Sequence, residues 1–182
     1  MRWLPNVLTL LRLGSAPVLV LLLFQYRYRE ALALALVAGL TDWLDGYIAR
    51  RLRTDGAVGI VLDPLADKAL LVTLFVALGL LRLIPLWMLV LAIARDLIIV
   101  GGALLLRIFR GARRFLPSLT GKVSTFFQIV LVLLVLMVAA FPHPVLRWLS
   151  DVALWLAAFF TCVSGVDYIQ RGIRMARDAR KD

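Results

Sequence analysis

The sequence predicts an all-α fold, a polytopic membrane protein whose six transmembrane helices form one domain over residues 1–182. Three observations predict it. Mean hydropathy is +0.94 with 63% hydrophobic residues, which excludes a soluble core. Apolar runs of about 20 residues, the length that crosses a hydrocarbon layer, recur along the chain. The breaks between them are short and carry Arg, Gly and Pro, which supply turn chemistry.

The first span, over 6–25, begins a few residues in and lacks a small-residue cleavage site, so it is expected to be retained rather than removed as a signal peptide. Asn6, Thr9 and Arg12 are spaced three apart near its start and share a slowly rotating face. That face is suited to a nucleotide or headgroup, or to helix capping. The second span covers 31–50 after YRYRE, and the third covers 60–81 after RRLRTDG. The fourth, over 85–107, follows LRLIP and holds Arg95 at mid-span, where a guanidinium needs an acid, a phosphate or an interhelical ion pair. Asp96 is expected to be a poor partner for it, since adjacent helical residues point apart. The fifth span, over 120–141, starts beside Lys122, a phosphate clamp or a snorkelling anchor. The sixth, over 148–170, follows FPHP and ends at QRGIRMARDARKD.

His143 lies between two prolines and reads as a turn residue; Cys162, in LAAFFTCVSGV, reads as packing. The tryptophans sit near span ends and need no role beyond interfacial anchoring. With the N-terminus inside, Arg2, the arginines from Arg50 to Arg53, the bases from Arg107 to Lys122 and those after Tyr168 face the cytosol. Only Arg27, Arg29, Arg82 and Arg147 fall outside, so the positive-inside rule predicts both termini in the cytosol. The net charge of +10 therefore points to anionic lipid and not to nucleic acid.

Four carboxylates stand out in DWLDGYIARRLRTDGAVGIVLDPLAD. Ionised acids at membrane depth are costly unless a cation neutralises them. Asp42 and Asp45 are three residues apart, and Asp63 and Asp67 four apart, so each pair projects from one helix face. Asp67 lies about 12 Å along its helix at 1.5 Å per residue, which puts the cluster just below the cytosolic surface. Like charges this close raise one another's pKa values unless divalent metal compensates them. Oxygen ligands without His or Cys select Mg²⁺, Mn²⁺ or Ca²⁺ over Zn²⁺, and four carboxylates suffice for two ions completed by water and substrate phosphate. Gly46, Ala49 and Gly59 share these faces and leave room for a substrate, or serve helix packing. Arg50 offers a planar fork suited to a diphosphate.

Asp42, Asp45, Gly46, Ala49, Arg50, Gly59, Asp63 and Asp67 together resemble, without a departure, the CDP-alcohol phosphotransferase signature D-x2-D-G-x2-A-R-x8-G-x3-D-x3-D. The resemblance implies a six-helix membrane enzyme, usually a homodimer, that displaces CMP from a CDP-linked lipid with an alcohol. It further implies that Asp42, Asp45 and Asp63 hold Mg²⁺ or Mn²⁺, and that Asp67 is the base and also touches metal. Gly46, Ala49, Arg50 and Gly59 would frame the CDP moiety, with Asn6 and Thr9 beside it.

The segments LPNVLTLLRLGSAPVL, AIARDLIIVGGALLLR and PSLTGKVSTFFQ resemble the phosphatidylglycerol branches of that family. Phosphatidylglycerophosphate synthases usually carry Arg-Glu in the fourth helix and a second Arg eight residues on. Here Arg95 precedes Asp96, the eighth position is Ala103, and Arg107 comes twelve residues on. With the run of Pro117, Ser118, Lys122, Thr125 and Gln128, this resembles CMP-forming cardiolipin synthases. The expected acceptor is phosphatidylglycerol, bound by Arg95, Arg107 and Lys122. The alternative is glycerol 3-phosphate, since the C-terminal DVALWLAAFFTCVSGVDY also resembles phosphatidylglycerophosphate synthases.

A divalent-cation transporter, the remote alternative, would place its acids near the bilayer midplane between broken helices. A structural membrane protein would need no such acids. A bacterial inner membrane is expected, because a mitochondrial protein would usually bring an Arg- and Ser-rich transit segment.

Overall fold

The computed structural model describes residues 4–52, 59–110 and 118–178, with side chains over 14–41, 70–102 and 118–174. Among the described residues every regular element is a helix: α1 (Leu4–Phe24), α2 (Tyr28–Leu52), α3 (Gly59–Leu80), α4 (Leu86–Arg110), α5 (Leu119–Ala140) and α6 (Pro144–Asp178). Each predicted span falls on one of them. Among the described residues, two stretches, Leu119–Ala140 and Pro144–Arg174, are long and apolar enough to cross a membrane. The largest departure is α6, which runs for 35 residues. Hydropathy fades after Tyr168, but Gln, Arg, Met and Ala are good helix formers and no proline intervenes, so the helix continues through the basic break.

The chain divides into two compact units, Met1–Ile84 with Val132–Arg147, and Pro85–Leu131 with Trp148–Asp182. In the first, α1 packs on both α2 and α3. The buried side chains of this unit are apolar among the described residues: Leu19 and Leu23 of α1, Ala31 of α2, Phe75 and Leu78 of α3, and Leu136 of α5. In lipid, close packing and not the hydrophobic effect holds such helices together.

The breaks after α1 and α3 use the same cap. Arg27 N–H donates to the Leu22 carbonyl (2.9 Å) and Tyr26 N–H to Leu23 (3.0 Å), while Leu83 N–H donates to Leu78 (2.9 Å) and Arg82 N–H to Gly79 (3.0 Å). Both are Schellman motifs, which need a left-handed residue after the helix. Tyr26 (φ 59°) and Arg82 (φ 57°) take that conformation, where the sequence reading expected Gly and Pro to make the turns. Beyond the first cap, Arg27 grips Glu30 through Nε (3.1 Å) and Nη2 (3.0 Å). The Glu30 carboxyl is held below its usual range by a backbone hydrogen bond and by Arg27. Arg29 donates to the Ala140 carbonyl at the end of α5 (3.5 Å) and lies over the Phe141 ring at 5.1 Å, a favourable place for a cation at a helix C-terminus. His143 is an exposed turn residue, as expected, and its Nδ1 accepts from Val145 N–H (3.3 Å).

The second unit has a different interior. Beside Met88, Leu131 and Tyr168 it buries many small or polar residues: Ala92, Ala153, Ala157 and Ala158 with Arg95, Ser118, Ser124, Gln128, Thr161 and Ser164. Small residues let helix backbones approach, and hydroxyls then bond across the gap. Ser124 and Thr161 share a hydrogen bond of 3.1 Å, and Gln128 Nε2 donates to Thr161 at 3.0 Å. Phe127 and Phe160 stack at 4.7 Å. Cys162, expected to pack, is instead exposed, because it is one position on from buried Thr161 and so turned about 100° away from that face.

Candidate functional site

The four aspartates lie on two continuous helices of the first unit, Asp42 and Asp45 on α2, Asp63 and Asp67 on α3. Gly46, Ala49 and Arg50 follow on α2 and Gly59 opens α3. The side chains of these eight positions, and those of Asn6, Thr9 and Arg107, lie outside the described residues. No group of three or more His, Cys, Asp or Glu that could hold a metal occurs among the described residues. The donor set that α2 and α3 carry is made of carboxylate oxygens, which suits a hard divalent ion.

Arg95 is described in full. It is 5% exposed and reaches three helices. Its Nε and Nη2 donate to Ser164 Oγ on α6 (3.2 and 3.0 Å), Nη2 also donates to the Gly121 carbonyl on α5 (3.2 Å), and Nη1 meets Asp96 Oδ1 at 2.8 Å. The contact with Asp96 corrects the expectation that neighbours on one helix cannot pair. Adjacent Cβ atoms diverge, but the long Arg stem lets the guanidinium fold back to a carboxylate. A buried arginine of this kind is tolerable because its donors are engaged and a counter-charge sits beside it.

Gly121 makes this approach possible. A Cβ there would stand 3.0 Å from Tyr168 Oη and 3.2 Å from both Arg95 Nη2 and Ser118 Oγ. The first turn of α5 is fastened from several sides. Ser118 Oγ caps it by accepting from Gly121 N–H (3.0 Å), and Ser118 N–H donates to Tyr168 Oη (3.1 Å). Thr120 Oγ1 donates to Asp167 Oδ2 (2.7 Å) and shares a 2.8 Å hydrogen bond with Ser118 Oγ. Arg171 Nε holds the other Asp167 oxygen at 2.9 Å. Lys122 follows Gly121 directly and is exposed.

Of the three basic residues expected at an acceptor, then, Arg95 is buried among protein partners and Lys122 is exposed, while Arg107 lies outside the described side chains. Sequence reasoning did not single out Gly121, Thr161, Ser164, Asp167 or Tyr168. Thr161, Ser164 and Tyr168 recur at steps of three and four, the signature of one helix face, but strongly apolar neighbours mask the stripe.

Comparison with known proteins agrees with the motif. The family model described as CDP-alcohol phosphatidyltransferase matches residues 2–163. A Bacillus subtilis relative named CDP-diacylglycerol–glycerol-3-phosphate 3-phosphatidyltransferase is 36% identical over 75% of this chain and 69% of its own length. One of the same name from Aquifex aeolicus is 34% identical over 94% of this chain and 96% of its own. The human cardiolipin synthase (CMP-forming) is 33% identical over 93% of this chain, which spans 61% of that protein's length. A match over most of the residues, meeting an aspartate pattern carried on two helices, makes this chain a member of the CDP-alcohol phosphatidyltransferase family of enzymes.

Proposed function

We propose that the protein transfers a phosphatidyl group from CDP-diacylglycerol to phosphatidylglycerol and releases CMP. The observation that carries the reaction is the eight-position pattern on α2 and α3. Asp42, Asp45 and Asp63 would hold divalent metal, Mg²⁺ or Mn²⁺, which would supply charge neutralisation for the diphosphate. Asp67 takes the proton from the acceptor hydroxyl as its oxygen bonds to the phosphorus of the phosphatidyl group and the bond to CMP breaks. Arg50 orients the diphosphate with its fork, and Gly46, Ala49 and Gly59 let the nucleotide lie against the helices. Six spans with both termini and the aspartates on the cytosolic side put this chemistry where CDP-lipid headgroups lie. The bacterial relatives support an inner-membrane location.

Phosphatidylglycerol is favoured as acceptor by charge. Arg95 is neutralised by Asp96 at 2.8 Å, which leaves Lys122 as the described acceptor candidate whose charge is exposed. Among the described residues, that single exposed candidate cation suits a phosphodiester monoanion, and the Pro117–Gln128 run that resembles cardiolipin synthases supports the same acceptor. The names of the Bacillus and Aquifex relatives support glycerol 3-phosphate as a second reading. Purified enzyme supplied with CDP-diacylglycerol and Mg²⁺ is expected to release CMP with phosphatidylglycerol and not with glycerol 3-phosphate. Release with glycerol 3-phosphate alone would establish the second reading, and release with neither would remove the reaction itself.

A further inference from the structure

We propose that Arg95 and Ser164 are positioning residues, which act on the acceptor through Lys122 by fixing the first turn of α5. The inference rests on the reading that Lys122 meets the acceptor phosphate. Arg95 is 5% exposed and Ser164 fully buried, so neither offers a surface to a lipid headgroup. Four hydrogen bonds tie the guanidinium to α4, α5 and α6, and the one to α5 ends on the carbonyl of Gly121, the residue immediately before Lys122.

That carbonyl also accepts from Thr125 Oγ1 at 3.1 Å. The same turn is held by Tyr168 through Ser118 and by Asp167 through Thr120. Helix termini ordinarily fray and satisfy their end groups with water. Here buried side chains from two other helices hold the terminus in one register, with no Cβ at position 121 to keep Arg95 away. A cation aimed from such a platform loses less freedom when it binds a phosphate than one on a frayed end, and that difference is read as acceptor affinity. Ser164 receives both the Nε and Nη2 edges of Arg95, so its hydroxyl decides which way the guanidinium turns and whether Nη2 reaches Gly121.

The test is a double-mutant cycle on the purified full chain, with CMP release measured against acceptor and CDP-diacylglycerol concentration. Ser164→Ala removes a hydrogen bond to a charged group and is expected to raise the acceptor KM about tenfold, with the KM for CDP-diacylglycerol unchanged. Ser164→Thr, which keeps the hydroxyl, is expected to restore the wild-type value. Lys122→Ala is expected to raise the same KM by a similar factor. The double variant is expected to match Lys122→Ala alone to within about twofold, because both changes remove one interaction. Multiplying effects, or an unchanged acceptor KM in Lys122→Ala, would overturn the proposal. Should Ser164→Ala not fold, Thr120→Ala loosens the same turn from the Asp167 side and enters the cycle in its place. Wild-type enzyme inactive with every acceptor would instead overturn the reaction, which separates the two failures.

Discussion

At the scale of single residues, Asp67 carries the chemical prediction. It stands four positions after Asp63 on α3, and the proposed reaction asks it to accept a proton. Asp67→Asn keeps the shape and removes the basic oxygen, and general-base catalysis contributes roughly 10²- to 10⁴-fold. Turnover is expected to fall by at least about a hundredfold, while binding of CDP-diacylglycerol, read by equilibrium dialysis, is largely retained. A near-normal rate would take the base away from Asp67. The motif and the helices that carry it were legible, because carboxylates in an apolar chain need a reason and a spacing of three and four fixes their face once the segment is helical. Arg95 and Asp96 were less legible. The rule that neighbours diverge describes Cβ directions, and a side chain as long as arginine escapes it at 2.8 Å. Cys162 shows the same limit from the other side, since an apolar neighbourhood in sequence does not say which face of the helix a residue occupies.

At the scale of elements, the caps of α1 and α3 are built on Tyr26 and Arg82 in the left-handed region. That conformation costs a non-glycine residue about 1–2 kcal/mol. Glycine removes the strain but adds freedom to the unfolded chain, so Arg82→Gly is expected to stabilise by at most about 1 kcal/mol. Arg82→Val, β-branched at positive φ, is expected to destabilise by at least about 1 kcal/mol. Thermal unfolding in detergent reads both, and a valine variant as stable as the parent would contradict the cap. Helix positions were legible because hydropathy marks where a chain can enter lipid. Their ends were less so, because a cap on Tyr or Arg carries no glycine to announce it. The overrun of α6 was hidden for a related reason: helix propensity persists where hydropathy stops.

At the scale of the molecule, the two units divide their labour by composition. The first buries large apolar side chains and carries the aspartates, and the second buries hydroxyls, an amide and a guanidinium. The described core of the first unit is apolar and needs no bound ion to pack. Chelation with EDTA is therefore expected to abolish CMP release while leaving the helical circular dichroism unchanged. Mg²⁺ or Mn²⁺ should restore activity, and Zn²⁺, which prefers nitrogen and sulfur, should not. A rate insensitive to chelation would argue against metal at the aspartates. The difference between the units was not legible from mean hydropathy, which averages an apolar, leucine-rich interior with one where alanine, serine and threonine stand among a few large side chains.

The length of α6 has a practical consequence. Thirty-five residues at 1.5 Å each make a rod of about 52 Å, whereas the hydrocarbon layer is only about 30 Å thick. Even tilted, such a rod must protrude, and a fluorescent or protease-cleavable reporter joined behind it would stand off from the lipid like a flag on a mast. Its accessibility from one side of sealed vesicles would reveal which compartment the enzyme faces, without a flexible spacer to blur the answer.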